Sequence, residues 1–156
     1  MERVFDSTYV NRGKMSRRDV LIKSRASGYD KTAIISEIKG NPSRIELFDP
    51  EGYSLLVLDV TVTNPAGSGR ISKKDLHLRW ELDDSEFKEK ITSQLDVPEE
   101  SGITSNITNE EIKHHKDSNL IHVRKGKDKK AVVEFHDRNG QITGPRLYIR
   151  KCRAGV

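Results

Sequence analysis

The sequence lacks the features from which several classes of protein are built. It contains a single cysteine, Cys152, among 156 residues, and one thiol cannot form the internal disulfides of a small secreted scaffold. No segment approaches the roughly 18 consecutive apolar residues of a membrane-spanning helix. The first 30 residues contain no apolar segment of the kind that a secretory signal carries. We therefore expect a cytoplasmic protein, although an exported domain whose signal has been removed has the same pattern.

Apolar and aromatic residues are scarce, and charged residues are abundant. Hydrophobic residues make up 33% of the chain and aromatic residues 6%, while charged residues make up another 33%. The 28 Lys and Arg exceed the 24 Asp and Glu only slightly, which gives a net charge of +4. The two signs are mixed along the chain, whereas a dedicated nucleic-acid binder concentrates its basic charge on one face. Charge alone is therefore weak support for nucleic-acid binding.

Alternation with a period of two dominates the middle of the chain. Residues 76–82 alternate most regularly, with Leu76, Leu78, Trp80 and Leu82 on one side. Residues 53–64 and 44–48 show the same pattern, and a Pro-Gly turn at 49–52 separates them. Such alternation is typical of half-buried strands with one face in water, which favours antiparallel pairing. Further apolar runs at 120–123, 131–135 and 146–150, with Asn139-Gly140 as a hairpin turn, extend the series.

These signals predict an all-β fold, an immunoglobulin-like β-sandwich of about 7–9 antiparallel strands. Phe87, Ile91 and Leu95 recur at intervals of four before Pro98, so we expect a short helix over 86–97. A small β-barrel is the alternative architecture.

The chain is predicted to have two parts. Residues 1–18 form a polar, basic N-terminal arm, and residues 19–156 form the β-sandwich domain, with a long loop over 98–119. Ser16–Lys23 resembles a twin-arginine export motif, but polar residues follow it. We interpret Asp19–Lys23 as the start of a strand.

The segments Tyr53–Asn64 (YSLLVLDVTVTN) and Ile71–Leu82 (ISKKDLHLRWEL) carry a resemblance to a known group. The region from about residue 20 to 150 resembles telokin-like, immunoglobulin-fold bacterial and archaeal domains of unknown function. The resemblance implies a sandwich fold and a binding or cell-envelope role. It transfers no functional residues.

No catalytic or metal-binding motif is present. The chain has neither a Gly-x-Ser-x-Gly elbow nor the spacing of a phosphate-binding loop. His114 and His115 are adjacent and flanked by lysines, so we interpret them and His122 as solvated loop residues, not as a zinc site. We expect no enzyme activity, metal or cofactor. Carboxylate pairs that are distant in sequence leave an enzyme as a third, weaker hypothesis.

We therefore predict a non-enzymatic module that binds another macromolecule, with a protein as the first choice of partner. The alternative is a nucleic-acid-binding protein, viral or phage-encoded, that uses its basic arm and turns. A homo-oligomer paired through an edge strand at Arg44–Phe48 is a further hypothesis. The candidate binding surface consists of Arg12, Lys14, Arg17, Arg18, Lys113, His114, His115, Lys116, Arg124, Lys125, Lys127, Lys129 and Lys130.

Overall fold

The computed structural model describes residues 7–64, 71, 75–95, 97–99 and 118–155. It contains two helices and seven strands within that part of the chain. In chain order they are α1 Arg17–Ala26, β1 Thr32–Ile38, β2 Asn41–Phe48, β3 Ser54–Thr63, β4 Leu76–Glu81, α2 Ser85–Thr92, β5 Asn119–Arg124, β6 Ala131–His136 and β7 Arg146–Ala154.

The strands pair in the order β1-β2-β3-β7-β6-β5-β4, as one sheet of seven. β4 and β5 run parallel, with Leu78 opposite Ile121, while the pairs β1/β2, β2/β3, β5/β6 and β6/β7 are antiparallel. The prediction of an all-β, immunoglobulin-like sandwich is therefore wrong. Alternation shows that a strand has one buried face, but either a helix or a second sheet can cover that face, and the pattern does not say which.

The chain divides into two compact units. The first unit comprises Tyr9–Thr61 and Arg150–Val156, and the second comprises Met1–Thr8 and Val62–Ile149. Each has its own buried apolar residues. Those of the first unit are Ile34, Phe48, Leu56 and Val60, and those of the second include Leu78, Phe87, Ile121, Val123, Val132, Phe135 and Ile149.

Helix α1 occupies the place of a predicted strand. Ser16 is its N-cap: the hydroxyl accepts a hydrogen bond from the Asp19 amide, and the Asp19 side chain accepts one from the Ser16 amide. This reciprocal capping box satisfies donors that a helix start otherwise leaves unpaired. The interpretation of Asp19–Lys23 as the start of a strand is therefore wrong, since Ser-x-x-Asp before Val20, Leu21 and Ile22 marks a helix N-terminus.

A two-residue hairpin turn connects β1 and β2 in the first unit. Ile38 and Asn41 face each other across Lys39 and Gly40, which both have positive φ (52° and 78°). Two successive left-handed residues form the turn type that matches the twist of antiparallel strands. The turn thus brings β1 alongside β2. On its other side, β2 pairs with β3. The predicted edge strand at Arg44–Phe48 is wrong, because that segment is interior and β1 is at the edge.

The second unit contains the predicted helix, in shortened form. α2 begins after Asp84, whose side chain accepts a hydrogen bond from the Phe87 amide at 2.9 Å. Phe87 and Ile91 are buried, and the Phe87 ring lies 5.3 Å from that of Trp80. Helix α2 lies between the parallel strands β4 and β5 in the chain order. The helix is therefore confirmed near its predicted start, and it ends at Thr92.

Two further predictions fall partly outside the described residues. Residues 7–16 precede α1 as irregular, mostly exposed backbone, while residues 1–6 of the predicted arm are not described. Residues 100–117 of the predicted loop are also outside the described part. The division at residue 18 stays a prediction. Neither described helix has the length or the apolar composition needed to cross a bilayer.

Candidate nucleic-acid interface

The positive charge of the protein belongs to the first unit. Its sequence ranges contain 12 Lys or Arg and 7 Asp or Glu, a net charge of +5. The ranges of the second unit contain 16 Lys or Arg and 17 Asp or Glu, a net charge of −1. The small net charge of the whole chain is therefore the sum of a clearly positive first unit and a nearly neutral second unit. A polyanion would be attracted to the first unit and not to the second.

The basic residues predicted at 12–18 lie at the beginning of α1 and just before it. Arg12, Lys14, Arg17 and Arg18 are all exposed. Arg17 is held in place: it pairs with Glu46 of β2 at 2.9 Å, and its guanidinium lies 4.4 Å from the centre of the Phe48 ring. Arg18 is the second residue of the helix, where the helix dipole disfavours a cation. Arg17 is thus explained by its contacts within the protein, whereas the exposed Arg18 is better placed to contact an anionic ligand than to stabilise the helix.

The unit that carries these cations also has exposed tyrosines. Tyr9, Tyr29 and Tyr53 are 72%, 39% and 68% exposed, and all three belong to the first unit. The turn before β3 fixes the backbone of Tyr53, whose amide donates to the Asp49 carboxylate at 2.8 Å and whose carbonyl accepts from the Asp49 amide. An exposed aromatic ring on a fixed backbone can stack on an unpaired base. Sequence reasoning missed these tyrosines because composition does not reveal exposure.

An open groove of about 460 Å³ also belongs to the first unit. Arg44, Asp59 and Lys151 are among the residues that line it. Asp59 lies 2.9 Å from Arg44 and 3.0 Å from Arg153, and the hydrogen bond from Arg44 lowers the pKa of its carboxyl. The cations of the groove are therefore largely compensated from within. Because Arg44 and Asp59 of its lining are already paired, the groove is a poorer phosphate site than the start of α1.

The basic turn predicted at 124–130 lies in the second unit. Arg124 and Lys130 at its two ends are both paired, the first with Glu134 and the second with Asp84 at 2.8 Å. Lys125, Lys127 and Lys129 between them are exposed. Residues 113–116, the third basic segment, lie outside the described residues. The predicted surface is thus divided between the two units, and its N-terminal part belongs to the unit with net positive charge.

A buried acid organises the second unit. The side chain of Glu134 in β6 is 5% exposed and receives two hydrogen bonds from Arg124 of β5, at 3.0 and 2.9 Å. Arg146, the first residue of β7, approaches it at 2.7 Å. His136, with Nε2 at 3.9 Å, and the two arginines hold the pKa of Glu134 far below its usual range. One carboxylate thus connects three neighbouring strands.

Two buried histidines flank this acid. His122, predicted to be a solvated loop residue, is instead buried in β5, and its Nε2 lies 2.9 Å from a carboxylate oxygen of Glu81. Burial lowers the pKa of His122, while Glu81 acts in the opposite direction. His114 and His115 lie outside the described residues. The grouping of His122 with a solvated loop is wrong because β5 is almost entirely buried.

His122, Glu134 and His136 offer potential metal ligands within 4.8 Å of one another. Coordination by Glu134 would compete with Arg124 and Arg146, which already occupy its oxygens. A divalent cation there would also lie close to the guanidinium groups of Arg124 and Arg146. The nearby carboxylates do not carry enough negative charge to balance the metal ion and both guanidinium groups. The cluster therefore fits an ion-pair network better than a metal centre.

Replacing Glu134 with Gln should destabilise the protein strongly, because the change leaves Arg124 and Arg146 without their charged partner. We expect the free energy of unfolding to fall by about 3 kcal/mol, measured by urea denaturation. Glu86→Gln is the matched control: this acid pairs with Lys90 on the exposed surface of α2, where such a pair contributes little. Equal effects of the two substitutions would contradict the structural role of Glu134.

His122 should make stability depend on pH. Since its pKa is lower in the folded state, the unfolded chain binds the proton more readily, and stability is lost as the pH falls below about 6.5. In His122→Gln, the free energy of unfolding should decline less steeply between pH 7.5 and 5.0 than in the wild type. Parallel pH profiles for the two proteins would rule out this contribution.

Comparison with known proteins gives a consistent relationship. The sequence is 28% identical over 155 residues to a probable Brix domain-containing ribosomal biogenesis protein of Methanothermobacter thermautotrophicus, covering 99% of this chain and 87% of the relative. The crystal structure of Mil, an archaeal Imp4-like protein, is similar with a TM-score of 0.74 at 25% identity, covering 99% of this chain and 86% of that chain. A probable ribosomal biogenesis protein from Aeropyrum pernix K1 shares the fold, with a TM-score of 0.62 at 17% identity over 91% of this chain and 79% of that one. No protein-family model matches the sequence.

These relationships correct the sequence analysis. The resemblance to telokin-like, immunoglobulin-fold domains is wrong, since the similar proteins are described as ribosomal biogenesis and Imp4-like proteins and this chain folds as a mixed sheet with two described helices. They also confirm the prediction of a non-enzymatic protein, and they favour the nucleic-acid-binding alternative over a general protein-binding module. The chain is therefore similar, over nearly its whole length, to a probable Brix domain-containing ribosomal biogenesis protein and to an archaeal Imp4-like protein.

Proposed function

We propose that the protein is a ribosome assembly factor that binds RNA through its first unit. The observation that carries this proposal is the coincidence of two properties in one unit: the net charge of +5 and the three exposed tyrosines. The similarity to a ribosomal biogenesis protein supports the choice of RNA as the polyanion. The cytoplasmic location predicted from the sequence agrees with a role at the site of ribosome assembly.

Phosphate binding would begin at the start of α1. Lys14 and Arg18 are exposed, and no ion pair of theirs competes among the described residues. Cations of this kind contact the RNA backbone without reading its sequence and release counterions when they do so. Arg17, anchored on Phe48 and Glu46, would hold this end of the helix in position while its neighbours contact phosphates.

Base binding would use the tyrosines. The exposed ring of Tyr53 offers a stacking surface that duplex RNA, whose bases are already stacked, cannot use. The proposal therefore favours single-stranded segments or loops over regular helices. Recognition of this kind tolerates different sequences, because every base has a face on which an aromatic ring can stack.

Reversing charge at the start of α1 should weaken RNA binding. We expect Lys14→Glu with Arg18→Glu to reduce the affinity for a single-stranded RNA and to reduce the slope of log affinity against log salt by about 0.7 for each lost contact. Fluorescence anisotropy between about 50 and 300 mM salt measures both. The control is Lys125→Glu with Lys127→Glu, which makes the same charge change in the second unit. A larger loss in the control than in the α1 variant would place the interface elsewhere and contradict the proposal.

Removing the ring of Tyr53 should weaken the binding of single strands selectively. We expect Tyr53→Ala to cost about 1–3 kcal/mol of binding free energy for single-stranded RNA and to leave duplex binding unchanged. Tyr53→Phe keeps the ring and should bind like the wild type. The stacking role is wrong if Tyr53→Ala affects single strands and duplexes equally, or if Tyr53→Phe loses as much affinity as Tyr53→Ala.

A further inference from the structure

The open groove of the first unit is balanced in charge and adjoins the start of α1. Its lining contains three acidic and three basic residues, which are Glu37, Glu46, Asp59, Arg44, Arg150 and Lys151. Glu46 links the groove to the helix, because it also pairs with Arg17 at 2.9 Å. A lining without net charge attracts a phosphate weakly. It nevertheless offers hydrogen-bonding groups that can orient an uncharged ligand.

The side chain of Arg44 in this groove is held in a fixed orientation. Arg44 lies directly opposite Asp59 on the neighbouring strand, and its Nε donates to the Asp59 carboxylate at 2.9 Å. Arg153 holds the same carboxylate from a second side, at 3.0 Å. Within the described residues, the terminal nitrogens of Arg44 donate no hydrogen bond, and its side chain is 44% exposed. The outer edge of this guanidinium therefore offers two parallel N–H donors to a ligand.

Two parallel donors are satisfied by a ligand with two adjacent acceptors. Guanine presents such a pair as O6 and N7, and the bidentate contact of arginine with these atoms is the commonest specific contact that proteins make with bases. Adenine has an amino donor in place of O6, so it satisfies one N–H and opposes the other. Ile38, which is 64% exposed, also lines the groove and offers apolar surface to the face of a base. The chemistry of the groove thus fits guanine.

Strand β2 connects the groove to the proposed RNA surface. Arg44 and Glu46 of this strand line the groove. Farther along the strand, Glu46 and Phe48 hold Arg17 at the start of α1. The turn after the strand then fixes the backbone of Tyr53. One extended RNA strand can therefore contact the groove, the cations of α1 and the tyrosine ring in succession.

We propose that the groove binds an unpaired guanine of the RNA and that Arg44, oriented by Asp59, selects this base through O6 and N7. The inference rests on the proposed RNA function and adds a base preference to it, whereas stacking on Tyr53 accepts any base. The guanine must be unpaired, because the major groove of an RNA helix is too deep and narrow for side chains to read. Arg44 is thus a specificity-determining residue, while the cations at the start of α1 contact the backbone.

Anisotropy titrations with oligouridine strands that carry a single purine test this assignment on the full-length protein. We expect the strand with guanine to bind at least about fivefold more tightly than the strand with adenine. Replacing guanine with 7-deazaguanine removes the N7 acceptor and should abolish most of this preference. Replacing guanosine with inosine keeps both O6 and N7 and should preserve it. These changes leave the protein unaltered, so folding does not affect their outcome.

Substitutions in the protein test the role of Arg44. Arg44→Lys keeps the charge but loses the planar pair of donors, so the preference for guanine over adenine should fall below about twofold. Asp59→Asn removes the partner that orients Arg44 and should lower the same ratio, even though it makes the groove more positive. Arg25→Lys is the matched control at an exposed position of α1 and should keep the full preference.

Several outcomes would overturn the assignment. Equal affinities for the guanine and adenine strands would do so, as would a preference that survives either 7-deazaguanine or Arg44→Lys. A cytosine strand that binds as tightly as the guanine strand would contradict the selection of guanine. Free guanosine monophosphate that binds as tightly as the guanine strand would assign the groove to a free nucleotide.

The binding of plain oligouridine separates this inference from the proposed function. If plain oligouridine binds with the expected salt dependence and the guanine preference is absent, the assignment of the groove is wrong and the RNA function stands. If no RNA binds at about 50 mM salt, both are wrong.

Discussion

The carboxylate of Glu134 is the constraint on which the second unit depends. It lies in β6, between β5 and β7 in the strand order, and both Arg124 of β5 and Arg146 of β7 pair with it. A buried charge is tolerated only when paired and hydrogen-bonded, so the three strands must keep their register for the carboxylate to remain satisfied. Arg146 is also the first residue of β7, and the same strand continues to Arg150 and Arg153 in the first unit. The ion pair therefore fixes the start of the strand whose other end adds basic residues to the first unit.

The two units use charge in opposite ways. In the second unit, many charged side chains satisfy one another, as Lys130 does with Asp84 and Arg124 with Glu134. In the first unit, cations are in excess, and exposed cations such as Arg18 lie where the helix dipole disfavours them. Such an arrangement costs stability in the free protein, and in the proposed function a bound anion would offset that cost. The position of the charged residues therefore distinguishes the two units more than the net charge of the whole chain does.

Much of the strand pattern could be predicted from the sequence, because alternation reports directly on burial of one face. Tyr53–Asn64 and Leu76–Leu82 correspond closely to β3 and β4, and the helix after Asp84 was recognised from its apolar spacing. The parallel pairing of β4 with β5 was not predictable in this way, since it depends on the connection through α2 and not on side-chain alternation. Ser16 and Asp19 mark the start of α1, although the apolar run at Val20–Ile22 read alone favours a strand.

The candidate site was only partly predictable. Arg12, Lys14, Arg17 and Arg18 were selected from their charge, and the structure places them at the start of α1. That they belong to a different unit from the turn at 124–130 could not be foreseen, because membership of a unit is a property of the folded chain. The exposure of Tyr53 and the burial of His122 are likewise tertiary outcomes. The distribution of charge along the sequence therefore identifies candidate residues, while only the folded structure shows which of them belong to the same unit.

Ultraviolet crosslinking of the protein to a single-stranded ribosomal RNA fragment, followed by mass spectrometry of the crosslinked peptides, tests the central claim most directly. The account predicts crosslinks within residues 9–61 and 150–156, with Tyr53 and the segment at 12–18 among the modified sites. Crosslinks confined to residues 62–149, above all to the basic turn at 124–130, would contradict it.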